Sequence, residues 1–195
     1  YNPPKNSVFI DGIDINEWDL FTLRNEIAYV PQESYLFSTT IRENILIGNP
    51  KANDEEIWEA LELADIKKDI EKLPYGLDTI IGERGITLSG GQKQRLALAR
   101  ALIKRPKILL LDDTLSAVDN ETENNILRNL QKYMSNMTVI IVSHKISAVM
   151  DCDFVIVLEN GRIKEMGTHE ELIKLGGFYY STYSMQKYGT EIYSS

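Results

Sequence analysis

Ile108-Leu109-Leu110-Leu111 is an apolar run without alternation, bounded by Pro106 on one side and Asp112-Asp113 on the other. A strand with one wet face alternates apolar and polar residues, so this run predicts a strand buried on both faces, as in a parallel sheet. Thr138-Val139-Ile140-Ile141-Val142 repeats the pattern, and a helix is predicted between the two, roughly from Glu121 to Met134. Strand, helix and strand joined by a right-handed crossover form the unit of an α/β fold. Ile27-Ala28-Tyr29-Val30, stopped by Pro31, reads as a further short buried strand.

Between Ser34 and Arg105 the character is helical. Asn53 with Glu56 three residues on is a capping box, leading into Ile57, Trp58, Leu61 and Ala64 at helical spacing. Pro74-Tyr75-Gly76 breaks this region, and Gln92 to Lys104 forms a second helix stopped at Pro106. Earlier, Val8-Phe9-Ile10 before Asp11-Gly12 reads as a strand and turn, and Asp19 caps a helix through Arg24. Later, Phe154 to Leu158 and Ile163 to Met166 flank Asn160-Gly161 as a hairpin. Thr168-His169-Glu170-Glu171 opens a last helix, and the Tyr- and Ser-rich tail after Gly176 has no clear period. The expected organisation is a core from 1–33 and 106–175, a helical insertion at 34–105 and a tail at 176–195.

The chain has 195 residues, with 21 Lys and Arg against 29 Asp and Glu, a net charge of −8. That acidity argues against sequence-independent nucleic-acid binding, which needs cations to displace counterions. The single Cys152 excludes an internal disulfide and points to a reducing compartment. No apolar run approaches the roughly 20 residues that span a bilayer. The opening Tyr1-Asn2-Pro3-Pro4 suggests a piece of something longer.

Asp112 and Asp113 end a buried strand, where open α/β sheets bind ligands. Adjacent carboxylates repel, so a cation or a proton must compensate them, or else they cap the next helix. In Leu88-Ser89-Gly90-Gly91-Gln92, Ser89 and Gln92 fit a capping box. Two glycines in a first helical turn are costly, and they make sense where a phosphate approaches bare N–H groups. Gln32 and His144 also follow strands and are positioned to converge on the same sheet edge.

In this order, Gln32, Leu88-Ser89-Gly90-Gly91-Gln92, Ile108 to Asp113, Ser116-Ala117-Val118-Asp119 and His144 resemble the nucleotide-binding domain of ATP-binding-cassette proteins. Tyr29 to Ser34, Ile41 to Ile45, Gly82-Glu83-Arg84-Gly85 and Gly167 to Leu172 are similar to the exporter branch. The resemblance implies a P-loop NTPase core with a parallel sheet and an inserted helical signature subdomain. It implies ATP and Mg2+ as cofactors, a second nucleotide-binding domain and a transmembrane domain as partners, and a place at the cytoplasmic face of the membrane. Gln32 would be the Q-loop glutamine sensing Mg2+ and the γ-phosphate, and Asp112 the Walker B aspartate serving Mg2+. Asp113 would stand at the catalytic-base position and His144 would be the switch histidine. Ser89, Gly90, Gly91 and Gln92 would bind ATP held by the opposite subunit, Ser116 and Asp119 would meet that subunit through the D-loop, and Arg84 would belong to a transmission element.

Two departures follow. The phosphate cradle of the family needs a Gly-Lys pair, and no glycine here precedes a lysine. The P-loop and N-terminal strands are therefore expected upstream, leaving this stretch inactive alone and with open apolar surface. Asp113 stands where the family usually carries Glu, one methylene longer, which suggests the weaker-site half of a heterodimeric exporter. The alternative is a non-catalytic half that donates its signature to the partner's site. A chromosome or DNA-repair cassette would carry coiled-coil heptads between Gln32 and the signature, and none occur.

Overall fold

A computed structural model describes residues 3–82, 85–133 and 137–192. Strands β1 (Phe9–Ile10) and β2 (Ile13–Asp14) form a small antiparallel pair, followed by helix α1 (Leu20–Glu26). Asp19 caps α1 by accepting from the Thr22 N–H at 2.8 Å. β3 (Ile27–Val30) leads to α2 (Ile41–Leu46), α3 (Asp54–Leu63), α4 (Lys67–Glu71) and α5 (Gly90–Leu102). Capping boxes at Thr40/Glu43, Asn53/Glu56 and Ser89/Gln92 start three of these helices.

β4 (Ile108–Asp112), α6 (Asn120–Tyr133) and β5 (Thr138–Val142) complete a three-stranded parallel sheet in the order β3-β4-β5. Met134, the expected end of α6, lies outside the described residues. The hairpin β6 (Val155–Glu159) and β7 (Arg162–Gly167), then α7 (His169–Leu175) and α8 (Phe178–Ile192), close the chain. Among the described residues, no helix is long and apolar enough to cross a membrane.

The sheet departs from the expected two-faced burial. Leu109, Leu111, Ala28 and Val30 point into a core shared with α5 and α6, where Leu96, Leu98 and Ile126 are also buried. On the opposite face, Tyr29, Leu110 and Ile140 lie in register, and Ile140 and Val142 are 50% and 56% exposed. The apolar run correctly signals a strand, but composition does not say whether each face has a neighbour.

The tail is also more ordered than its sequence suggests. α8 is seated by Tyr179, only 2% exposed, in a small core with Ile146, Val155 and Leu172. Burial pushes the Tyr179 phenol up to about 12, and its hydroxyl pairs with His169 Nδ1 at 2.8 Å. The first N–H groups of α8 are capped from β7, where Glu165 accepts from Phe178 and, at 3.0 Å, from Tyr179. Lys104, at the end of the predicted helix from Gln92, is anchored to backbone. Its Nζ donates to the carbonyls of Arg24 and, at 2.8 Å, Ile27, and burial lowers its pKa.

One-sided burial has a measurable consequence. Leu109→Ala is expected to cost about 2–5 kcal/mol in urea unfolding of the chain. Ile140→Ala, on the open face, is expected to cost less than about 1 kcal/mol.

Candidate functional site

The strand ends gather one group of predicted residues. Asp112 is the last residue of β4, paired with Val142 of β5. Asp113 follows in the left-handed region, φ 45°, its N–H donating to the Val142 carbonyl at 2.8 Å. This turn brings the Asp113 carboxylate to Gln32, whose Nε2 donates to Oδ2 at 3.2 Å. Tyr29 donates its hydroxyl to Asp112 Oδ2 at 3.0 Å, and this bond is the main reason its own pKa is raised. Tyr29 was not a predicted site residue. Its signal is the parallel register, which sets it opposite Leu110, two residues before Asp112. His144 follows β5 by two residues with its side chain exposed, and it is bound here through its backbone carbonyl.

A second group forms where α5 begins. Ser89, Gly90 and Gly91 line an open cavity of about 370 Å³ with Arg95, Ala117, Val118, Asp119 and Thr122. Neither Gln32, Asp112, Asp113 nor His144 lines it. The Ser89 hydroxyl accepts from the Gln92 N–H at 3.2 Å, and Gln92 Oε1 accepts from the Ser89 N–H at 3.0 Å. The capping reading of this motif is therefore realised in full. Gln92 Nε2 also donates to Asp69 of α4 at 2.9 Å.

The two glycines have different reasons. A Cβ on Gly91 would lie 2.9 Å from the Ala117 carbonyl, so close backbone approach explains that residue. A Cβ on Gly90 would meet only the Ala117 Cβ, at an ordinary 3.8 Å. Among the described residues, packing asks nothing of Gly90, and no added side chain shields the N-terminal amides of α5 there.

The segment from Asp113 to Asp119 joins the groups. Ser116 donates its hydroxyl to the Asp113 carbonyl at 2.8 Å and does not line the cavity. Asp119 caps α6, accepting from the Thr122 N–H at 2.9 Å and hydroxyl at 2.8 Å. The backbone bond, then the hydroxyl bond, holds its pKa below the ordinary 3.8. Gln94, which the sequence does not mark as a site residue, is buried between the groups. Its Oε1 accepts from the Ala117 N–H at 3.2 Å, and its Nε2 donates to the Gln32 carbonyl at 3.4 Å. Only its place one turn into α5 hinted at this. Glu83 and Arg84, expected in a transmission element, lie outside the described residues.

The family model described as "ABC transporter" matches residues 1–116. The chain belongs to the ABC transporter family. A probable multidrug resistance ABC transporter ATP-binding/permease protein of Bacillus subtilis is 45% identical over 96% of this ABC domain and 32% of its own length. A multidrug resistance-like ATP-binding protein of Buchnera aphidicola is 49% identical, again over 96% and 32%. The solved structure of a bacterial Atm1-family ABC exporter with ATP bound is 42% identical, with a TM-score of 0.87 over 91% of this chain and 31% of that one. The chain thus spans about a third of the length of these relatives.

Two measurements check the site as an ABC domain. Carboxylate titration by NMR should place Asp119 below 3.8, so its cap is fully formed above that pH and is lost as pH falls through the depressed value. Thr122→Val should raise this pKa only part-way, because the backbone N–H remains. Gln94→Met should speed amide exchange at Ala117 by about tenfold, since the N–H loses its acceptor.

Proposed function

We propose that this chain is the nucleotide-binding domain that powers an ABC exporter, and that it serves two ATP sites at once. One observation carries the reading: a single loop joins a carboxylate–amide group, Asp112, Asp113 and Gln32, to a separate glycine-opened helix start, Ser89 to Gln92. Two half-sites at opposite ends of one loop suit a dimer in which each copy completes the other's nucleotide site. The ATP-binding names of the relatives support the ligand, and their permease and exporter names support a transmembrane domain at the cytoplasmic face of a membrane.

In this reading His144 faces the γ-phosphate. Asp113 takes the proton of the attacking water, and Gln32 holds its carboxylate in place. Ser89, Gly90, Gly91 and Gln92 meet the terminal phosphate of the partner's ATP through the amides of α5, with Ser116 and Asp119 at the dimer contact.

The donor set fits Mg2+. Among the described residues, no three His, Cys, Asp or Glu side chains gather into a cage. Mg2+ instead takes one or two carboxylates together with phosphate oxygens and water. Asp112 would hold it with the Gln32 amide oxygen, since Gln32 Nε2 is already committed to Asp113. When bound, the ion neutralises phosphate charge.

Asp113 favours the weaker-site half of a heterodimeric exporter. Its shorter side chain reaches less far toward water, while the helix start it would offer a partner is intact. A non-catalytic, signature-donating half is the second reading, favoured by the same residue. Without a Gly-Lys cradle, the 195 residues alone should show no micromolar ATP binding by calorimetry.

The test uses the glycines. Gly90→Ala should leave thermal stability unchanged or slightly raised, because alanine favours a helix by roughly 1 kcal/mol, yet it should stop ATP turnover at the site it faces. An exporter carrying Gly90→Ala that hydrolyses ATP at the wild-type rate would sink the two-site reading. Asp113→Glu should raise turnover in a weaker-site half and change nothing in a non-catalytic one.

A further inference from the structure

The backbone that carries His144 is held from outside the sheet. Gln186, on α8, accepts at Oε1 from the Ile146 N–H at 2.8 Å and donates from Nε2 to the His144 carbonyl at 2.8 Å. One amide therefore closes on both peptide groups that flank Lys145. On the other side, Lys145 Nζ donates to the Val118 carbonyl at 3.2 Å and to the fully buried Glu123 at 3.0 Å. Ser147 adds a hydroxyl bond of 2.5 Å to Glu123.

Gln186 can act as a fixed clamp because its helix is fixed. Tyr179 is buried beneath α8, and Glu165 caps the helix from β7. The Gln186 side chain itself is exposed, so its seated helix and its two hydrogen bonds hold it in one orientation. Free of the clamp, the 144–147 turn would keep the burial of Ile146 and its contacts to the 113–119 loop and α6, but it would lose the bonds that hold the two peptide groups around Lys145.

We infer that Gln186 is a positioning residue for His144, and that docking of α8 sets where this histidine stands. The inference rests on the reading of His144 as the residue facing the γ-phosphate. It assigns the C-terminal helix a part in ATP turnover, although none of its described side chains belongs to either half-site.

The test is made in the intact exporter with the partner's own ATP site inactivated, so that turnover reports the site of this chain, and uses Gln186→Met, which keeps the side-chain length and removes both hydrogen bonds. The kcat for ATP is expected to fall about tenfold with KM unchanged within about twofold, since geometry and not ground-state binding is lost. Amide exchange in the 144–149 segment is expected to rise about fivefold or more, while the 178–183 segment stays as in the wild type. Added to His144→Ala, Gln186→Met is expected to cause no further loss. Unchanged exchange at 144–149, loosening of 178–183 as well, or an undiminished loss in the His144→Ala background would each overturn the inference. A His144→Ala exporter with wild-type turnover would instead defeat the reading of His144, while the exchange result for Gln186→Met would still decide the clamp itself.

Discussion

The buried hydroxyl of Thr114 donates to the carbonyl of Val30 at 3.0 Å, while the preceding residue, Asp113, donates its N–H to Val142. Two consecutive residues after β4 thus tie its end to both neighbouring strands. Everything at the carboxyl edge depends on this tie. It fixes where β3 stops and Gln32 begins, turns Asp113 into the left-handed conformation, and sets the start of the segment leading to His144. A ladder of backbone bonds alone would leave these strand ends frayed. A side-chain bond from within the turn makes the edge a single rigid object.

From that edge, polar side chains mainly grip backbone. Gln94 takes hold of the Gln32 carbonyl and the Ala117 amide, Lys145 reaches the Val118 carbonyl, and Gln186 holds the turn after β5. The buried Gln94 amide pairs at both ends, as it must, because an unpaired buried group costs roughly 1–3 kcal/mol. These bonds have a further consequence. The loop between Asp113 and Asp119 touches α5 through Gln94 and the segment after β5 through Lys145, so neither can shift without the loop. The two groups of site residues are thus mechanically joined through Gln94, Lys145 and the loop between them.

Legibility in the sequence follows the range of the interaction. Capping boxes at Asn53, Ser89 and Thr168 could be read because donor and acceptor lie three residues apart. The strand runs could be read because an unbroken apolar stretch has few alternatives. Ser89, Gly90, Gly91, Asp112 and Asp113 stood out because glycines and paired acids are costly where they occur. Tyr29, Gln94, Lys145 and Gln186 did not, since each meets partners 22 to 83 residues away and is unremarkable among its neighbours. α8 was missed for the same reason: its cap, Glu165, comes from another element. Open apolar surface was expected from the absent upstream strands, but its place on the face of Ile140 and Val142 was not, because the sequence records that Ile140 is apolar and not what covers it.

The pair Gly90-Gly91 shows how far a motif can mislead by being read as one unit. Both glycines invite the argument that a ligand needs room. For Gly91 the room is already taken by the carbonyl of Ala117, and the residue would be needed in a domain that bound nothing. For Gly90 no atom of the described residues explains the missing side chain, although alanine would favour the helix there. A residue that weakens its own helix and is not repaid by packing is where local stability has yielded to something outside the chain. The ligand argument therefore rests on one glycine and the amides beside it. Ser89 keeps its hydroxyl proton available there even while its oxygen caps the helix, because a hydroxyl can accept and donate at once.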